Sequence, residues 1–208
     1  MFFGGRLQLK RSVRLSFLLL KNNLCFGRES LDVDALVAFL IQNGRKWIID
    51  QCEFHHPHSV PLVGREIEIL KMFYRKATIE RTRIRHVPRI ENPPFYTELA
   101  RVGISIPLDF SQMAGITFVD TILISDLYVH AQPRISLLFH EMVHVVQYGW
   151  LGVAEFTSQY VQGWAQNEFA YAAIPLEREA YELQERFDSA PQDTFSVEEI
   201  VIKKWGIY

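Results

Sequence analysis

Hydrophobic and polar positions alternate with two periods along this chain. After Ser30, a residue suited to capping, Leu36, Val37, Phe39, Leu40 and Ile41 recur at helical spacing. Asp32 and Asp34 fall in the first turn, so a helix is expected from about residue 31 to Asn43-Gly44. Trp47-Ile48-Ile49 follows, then a loop with His55, His56, Pro57 and His58. Residues 64–74 read as a helix with Ile67, Ile69, Leu70 and Phe73 inward. Residues 77–87 alternate as a strand does, and Pro88, Pro93 and Pro94 mark a long connection. The strongest strand pattern is 115–125, rich in β-branched and aromatic residues, with Asp120-Thr121 as a turn or a polar pair within the strand. A helix at about 135–148 is almost wholly apolar and should be buried. Gly149 and Gly152 are expected to stop it, and a further aromatic-rich helix is expected over 153–171. Pro175 suits the first turn of another helix, with acids near its start.

The buried helix carries His140-Glu141-Met142-Val143-His144. Residues four apart share one helix face, so the two imidazoles can bind one metal ion. Glu141 stands beside them as a candidate general base; this is the minimal equipment of a zinc hydrolase. A two-His site needs a third protein ligand if the fourth position is left to water. Glu177 is the preferred source and Glu179 the fallback. Glu177, Ala180 and Tyr181 share one face, and the small Ala180 would let the two helices approach.

His140-Glu141-x-x-His144 followed by Glu177-x-x-Ala180 resembles the gluzincin clan of metallopeptidases, which carry the glutamate ligand on a second helix. Over roughly residues 115–188 the chain looks most like small bacterial minigluzincin-type domains. The resemblance implies zinc on His140, His144 and Glu177, Glu141 as general base, and a strand bordering the cleft that pairs with extended substrate. It departs at Tyr181, where clan members often place Asp or Asn against a metal-ligating histidine; a phenol there could still bond the outer imidazole nitrogen. The fold expected is α+β and zincin-like, mostly helical, with a small sheet beside the active-site helix. His130, ten residues before the motif, could line the cleft. Tyr171 and Tyr160 could donate to an oxyanion.

Composition narrows the remainder. With 208 residues and 49% hydrophobic content the chain can bury a sizeable core. The expected organisation is a basic segment over 1–28 and one zincin-like domain over 29–208. The net charge of −2 argues against bulk nucleic-acid binding. The first 28 residues hold Arg6, Lys10, Arg11, Arg14, Lys21 and Arg28 and no acid. They read as a targeting segment, as a membrane-surface or partner-binding arm, or as a β-hairpin, since 6–9 and 13–17 alternate. No stretch reaches the ~20 apolar residues of a membrane span. Cys25 and Cys52 are expected to be reduced, as in a cytoplasmic protein. His55, His56 and His58 read as a surface loop or an auxiliary metal site, and His86 as a strand residue with an ordinary hydrogen bond. Two function classes follow: a zinc metallopeptidase acting on peptide or protein, or a binding or scaffold protein with a retained metal site.

Overall fold

The structure, a computed structural model, describes residues 33–128 and 133–206. The basic segment 1–28, Cys25 and His130 lie outside the described residues. The architecture is α+β: seven helices and a four-stranded sheet among the described residues, as the periodicities lead one to expect.

The first helix, α1 (Val33–His55), runs straight through Asn43-Gly44 and absorbs Trp47-Ile49, against the expected stop. Packing explains the difference. A Cβ on Gly44 would lie 3.4 Å from Thr157 Cγ2, so the glycine is where α1 crosses a later helix. Asn43 spends its amide on the Phe39 carbonyl inside the helix at 2.9 Å. His56–His58 form a single 3-10 turn, with Pro57 at its start.

β1 (Val60–Pro61) and the short α2 (Arg65–Leu70) come next. The expected strand over 77–87 is half wrong: α3 (Lys76–Arg81) occupies its first part and β2 (Arg83–Val87) only the second. The helical start is capped from far away. Glu198 Oε1 accepts from the Arg75 backbone N–H at 2.8 Å, one of the donors that a helix N-terminus leaves open, and from the Thr78 hydroxyl at 2.7 Å, which ties the first turn to the same carboxylate. After α4 (Phe95–Arg101), the strong β segment divides into β3 (Gly115–Phe118) and β4 (Thr121–Ser125). A two-residue turn joins them, with Phe118 opposite Thr121 and Val119 at φ 62°. The sheet order is β1-β2-β4-β3, with β2 and β4 parallel and the other pairs antiparallel. β4 is thus central, and β3 keeps an unpaired outer edge among the described residues.

α5 (Arg134–Gln166) carries the histidine motif. Gly152 alone leaves the helical region (φ 71°, ψ 165°), so α5 is two helical segments meeting at a kink there, as the expected break at Gly152 requires, while Gly149 does not interrupt it and the second segment ends at Gln166 rather than near 171. Gly149 stays helical and serves packing: a Cβ there would sit 2.3 Å from the Arg81 guanidinium, which donates to the Val145 carbonyl at 2.8 Å. α6 (Pro175–Ser189) begins at the expected proline. It approaches α5 where Gly163 lets Pro175 in, since a Cβ at 163 would meet Pro175 Cδ at 2.5 Å. α7 (Val197–Trp205), within the mixed tail, closes the chain with Ser196 capping its first turn.

Two apolar clusters flank α5. One centres on Phe73, Phe139 and Phe187, the last two stacked at 4.4 Å. The other gathers Trp47, Phe118, Phe156 and Trp164. α5 between them is buried without interruption from Ser136 to Tyr148, including both histidines and Glu141. No described helix is long and apolar enough to cross a membrane.

Candidate metal centre

Three donors meet where α5 crosses α6. Glu177 Oε2 lies 3.5 Å from His140 Nε2 and 3.6 Å from His144 Nε2. All three side chains are buried, with relative exposures of 6%, 5% and 3% for His140, His144 and Glu177. Helical spacing brings the histidines together, and Ala180, fully buried, lets α6 press close.

The outer face of each imidazole is tied by an amide. His144 Nδ1 pairs with Gln147 Oε1 at 2.8 Å; the Gln147 Nε2 group donates to the Leu176 carbonyl at 3.1 Å and to Glu179 Oε2 at 2.9 Å. His140 Nδ1 pairs with Gln184 Oε1 at 3.1 Å, and Gln184 Nε2 donates to Ser136 Oγ at 2.8 Å. Ser136 Oγ in turn donates to Asp188 at 2.7 Å. With each amide nitrogen engaged, its oxygen must face the ring. Nδ1 therefore carries a proton in both rings, which leaves Nε2 as the atom that faces Glu177 and that a metal would take.

Glu177 is held in the same manner. Tyr160 donates to its Oε1 at 2.8 Å, while its Oε2 is buried with no hydrogen-bond partner. Burial alone would raise its pKa; the imidazole of His144 and with it that of His140, both at ion-pair distance, overcome this and hold the carboxyl well below the usual range. His144 is the counterpart: burial lowers it, but Glu177 outweighs burial and lifts it to about 9. The metal-free chain thus keeps this buried cluster as an ion pair.

The cluster fits a divalent ion. Two nitrogen or oxygen donors at zinc distance and a tetrahedral angle lie about 3.4 Å apart, close to the separations found. The orphaned Glu177 oxygen supplies a buried charge that a cation would satisfy.

Glu141 lies beside this cluster on a wall formed by β3. Thr117 Oγ1 donates to Glu141 Oε2 at 2.8 Å and to the Glu141 backbone carbonyl at 3.0 Å. Gly115 leaves the space for its carboxylate: a Cβ there would meet Oε1 at 2.6 Å. Burial pushes the Glu141 carboxyl upward, and the imidazoles and Thr117 pull it back only in part. Among the described residues no donor occupies Oε1. A cavity of about 110 Å³ opens here, lined by Glu141, His144 and Glu177 and by apolar residues such as Trp47, Phe118 and Phe156.

Other expected residues fall differently. Glu179, the fallback ligand, is outside the cluster; it accepts from Gln147 and, at 2.7 Å, from Trp205 Nε1. Tyr181 does not hold an outer imidazole nitrogen. Gln184, one turn further along α6, takes that place, and the half-exposed Tyr181 ring lies tilted against His140 at 4.5 Å. Tyr160 is spent on Glu177 rather than left free for an oxyanion, and Tyr171 approaches the same carboxylate. Gln147 and Gln184 were missed in the sequence. Their signal was present, since Gln147 is a polar residue three positions from His144 in an otherwise apolar helix. His86 is a β2 residue bonded to Asp126 at 3.1 Å and to Arg134 at 2.7 Å.

No protein-family model matches this chain, and no curated protein or solved structure matches it.

Proposed function

We propose that the chain is a zinc-dependent hydrolase of zincin-like type, a small metallopeptidase resembling the gluzincins. One observation carries the reading: two imidazoles, oriented through their outer nitrogens, and a carboxylate with an orphaned oxygen converge beside a second, separately held carboxylate. A structural ion needs only the first three; Glu141 gives the site a base.

His140, His144 and Glu177 would hold the ion. Zinc in such a site supplies a Lewis acid that polarises a carbonyl and lowers the pKa of water. The chain's own residues do the remainder. Thr117 fixes Glu141 Oε2 and leaves Oε1 to take a proton from the attacking water. Glu141 then passes that proton to the departing amine. Its raised pKa brings it nearer the working range of a base that must also act as an acid.

β3 offers a way to seat a peptide. Ser125 N–H donates to the Ala114 carbonyl, so by antiparallel alternation the backbone groups of Gly115 and Thr117 face the outer edge. An extended peptide could add there as a further strand, with backbone bonds for affinity and the apolar cavity favouring a bulky apolar side chain. Thr121, on central β4, offers no such edge.

The test is Glu141→Gln assayed against a broad peptide library. The wild type should cleave; the variant should keep its metal and lose about 10²–10⁴-fold in turnover. Equal turnover refutes the mechanism. Metal binding without wild-type turnover would favour the non-catalytic binding protein instead.

A further inference from the structure

We infer that Cys52, His56 and Asp120 form a second metal site, one that binds a thiolate- and imidazole-preferring ion such as zinc. Cys52 and His56 stand four residues apart at the end of α1, so both face the same way. Asp120 comes from the β3–β4 turn. His56 Nδ1 lies 3.2 Å from Asp120 Oδ1 and 3.0 Å from Thr121 Oγ1. Cys52 Sγ lies 3.8 Å from the same Asp120 oxygen and 3.9 Å from Thr121 Oγ1. The donor atoms of the three side chains all fall within 4.8 Å of one another.

The spacing suits coordination. Sulfur and oxygen donors around a tetrahedral zinc lie about 3.5 Å apart, and nitrogen and oxygen donors about 3.4 Å apart. The His56–Asp120 and Cys52–Asp120 separations of 3.2 and 3.8 Å each lie within about 0.3 Å of these values. The donor chemistry selects the ion: thiolate and imidazole suit zinc and its neighbours, not magnesium or calcium. The charges also balance, since one thiolate and one carboxylate neutralise a divalent cation. All three residues are only partly buried, so an ion can enter from solvent.

The turn that presents Asp120 is the two-residue reversal between β3 and β4, in which Val119 takes φ 62°. The site is distinct from the His140 centre and shares no residue with it. Its role is to pin the hairpin whose β3 strand carries Gly115 and Thr117 against Glu141. The thiol is not poised as a free nucleophile: burial and then Asp120 push it above its ordinary value. Metal binding would release that proton to solvent.

Of the three neighbouring histidines, only His56 takes part. His55 Nδ1 faces the Arg85 guanidinium at 3.0 Å, and the His58 ring packs edge-on against Phe54.

The experiment is a cobalt(II) titration of the reduced full chain. Thiolate coordination gives a near-ultraviolet charge-transfer band that the His140–His144–Glu177 set cannot produce. The wild type should show that band. Cys52→Ser should lose it together with one bound ion, and Asp120→Asn should weaken the binding that produces it. His140→Ala with His144→Ala should leave it in place, so the outcome does not depend on the first centre. Unchanged far-ultraviolet circular dichroism checks that the variants are folded. A wild type without the band, or a band that survives Cys52→Ser, overturns the inference.

Discussion

Replacing Gln147 by Leu tests how the metal centre is oriented without touching a ligand. Leu has nearly the same volume, so packing in the fully buried position should hold. What disappears is the acceptor 2.8 Å from His144 Nδ1 and the donor to Glu179 and to the Leu176 carbonyl. Glu179 keeps Trp205 Nε1 at 2.7 Å and Lys204 at 3.4 Å, and the Leu176 carbonyl keeps its acceptor role in the α6 ladder, so the loss falls chiefly on His144. Its Nδ1–H becomes a buried donor without a partner, which costs about 1–3 kcal/mol. The ring is also freed to turn or to change tautomer. Losing such an outer partner weakens metal binding by about 10–100-fold. At 1.4 kcal/mol per tenfold that corresponds to about 1.4–2.8 kcal/mol, in line with the hydrogen-bond figure. The assay is zinc competition against a chelator of known affinity, in the Cys52→Ser background so that one site is read. Affinity within twofold of the parent protein would refute the claim that Gln147 sets the His144 tautomer.

Two further outcomes follow. Gly115→Ala drives a methyl group against the Glu141 carboxylate, now 2.6 Å from the new Cβ position. Zinc should remain bound, while turnover falls about 10²-fold as a displacement near 1 Å allows; steady-state kinetics with parallel zinc analysis checks this, and unchanged turnover would mean Glu141 is not confined as described. The metal-free protein should also lose stability with alkali. His144 is raised in the folded chain to about 9, so its contribution is complete below about pH 6.5 and is lost as pH rises through 9. Glu177 is depressed, so its contribution is lost only in acid; Cys52, raised in the folded chain, would add its own alkaline slope, so the Cys52→Ser protein is used and the slope read is that of His144. Urea unfolding of chelator-treated protein from pH 6 to 9 reads this slope; zinc-loaded protein, whose His144 cannot take a second proton on Nε2, should lack it.

How much of this was legible in the sequence differs from residue to residue. The His140–His144 pair and Glu177 were, because helical spacing and a proline-started helix are local signals. α6 begins at Pro175 as the sequence predicts. Three features were hidden because distant residues decide them. Gly44 looks like a stop, but here it is a contact point for Thr157. Residues 77–81 alternate like a strand, yet Glu198, more than a hundred residues later, caps them as a helix. Cys52 and Asp120 stand sixty-eight residues apart and meet only through the β3–β4 turn. The 115–125 pattern announced β structure, but the reversal at Val119 needed a backbone conformation that a valine does not advertise. Glu179 was only the fallback ligand, and it turns to Gln147 and Trp205; Tyr181 lies on the Glu177 face but lays its ring on His140, leaving the outer nitrogen to Gln184 one turn on.

The central claim is that His140, His144 and Glu177 bind zinc. Its most direct test is the zinc content of purified Cys52→Ser protein with and without the further changes His140→Ala and His144→Ala. One zinc per chain in the first protein and almost none in the second is the predicted result. Equal zinc content in the two would contradict the account.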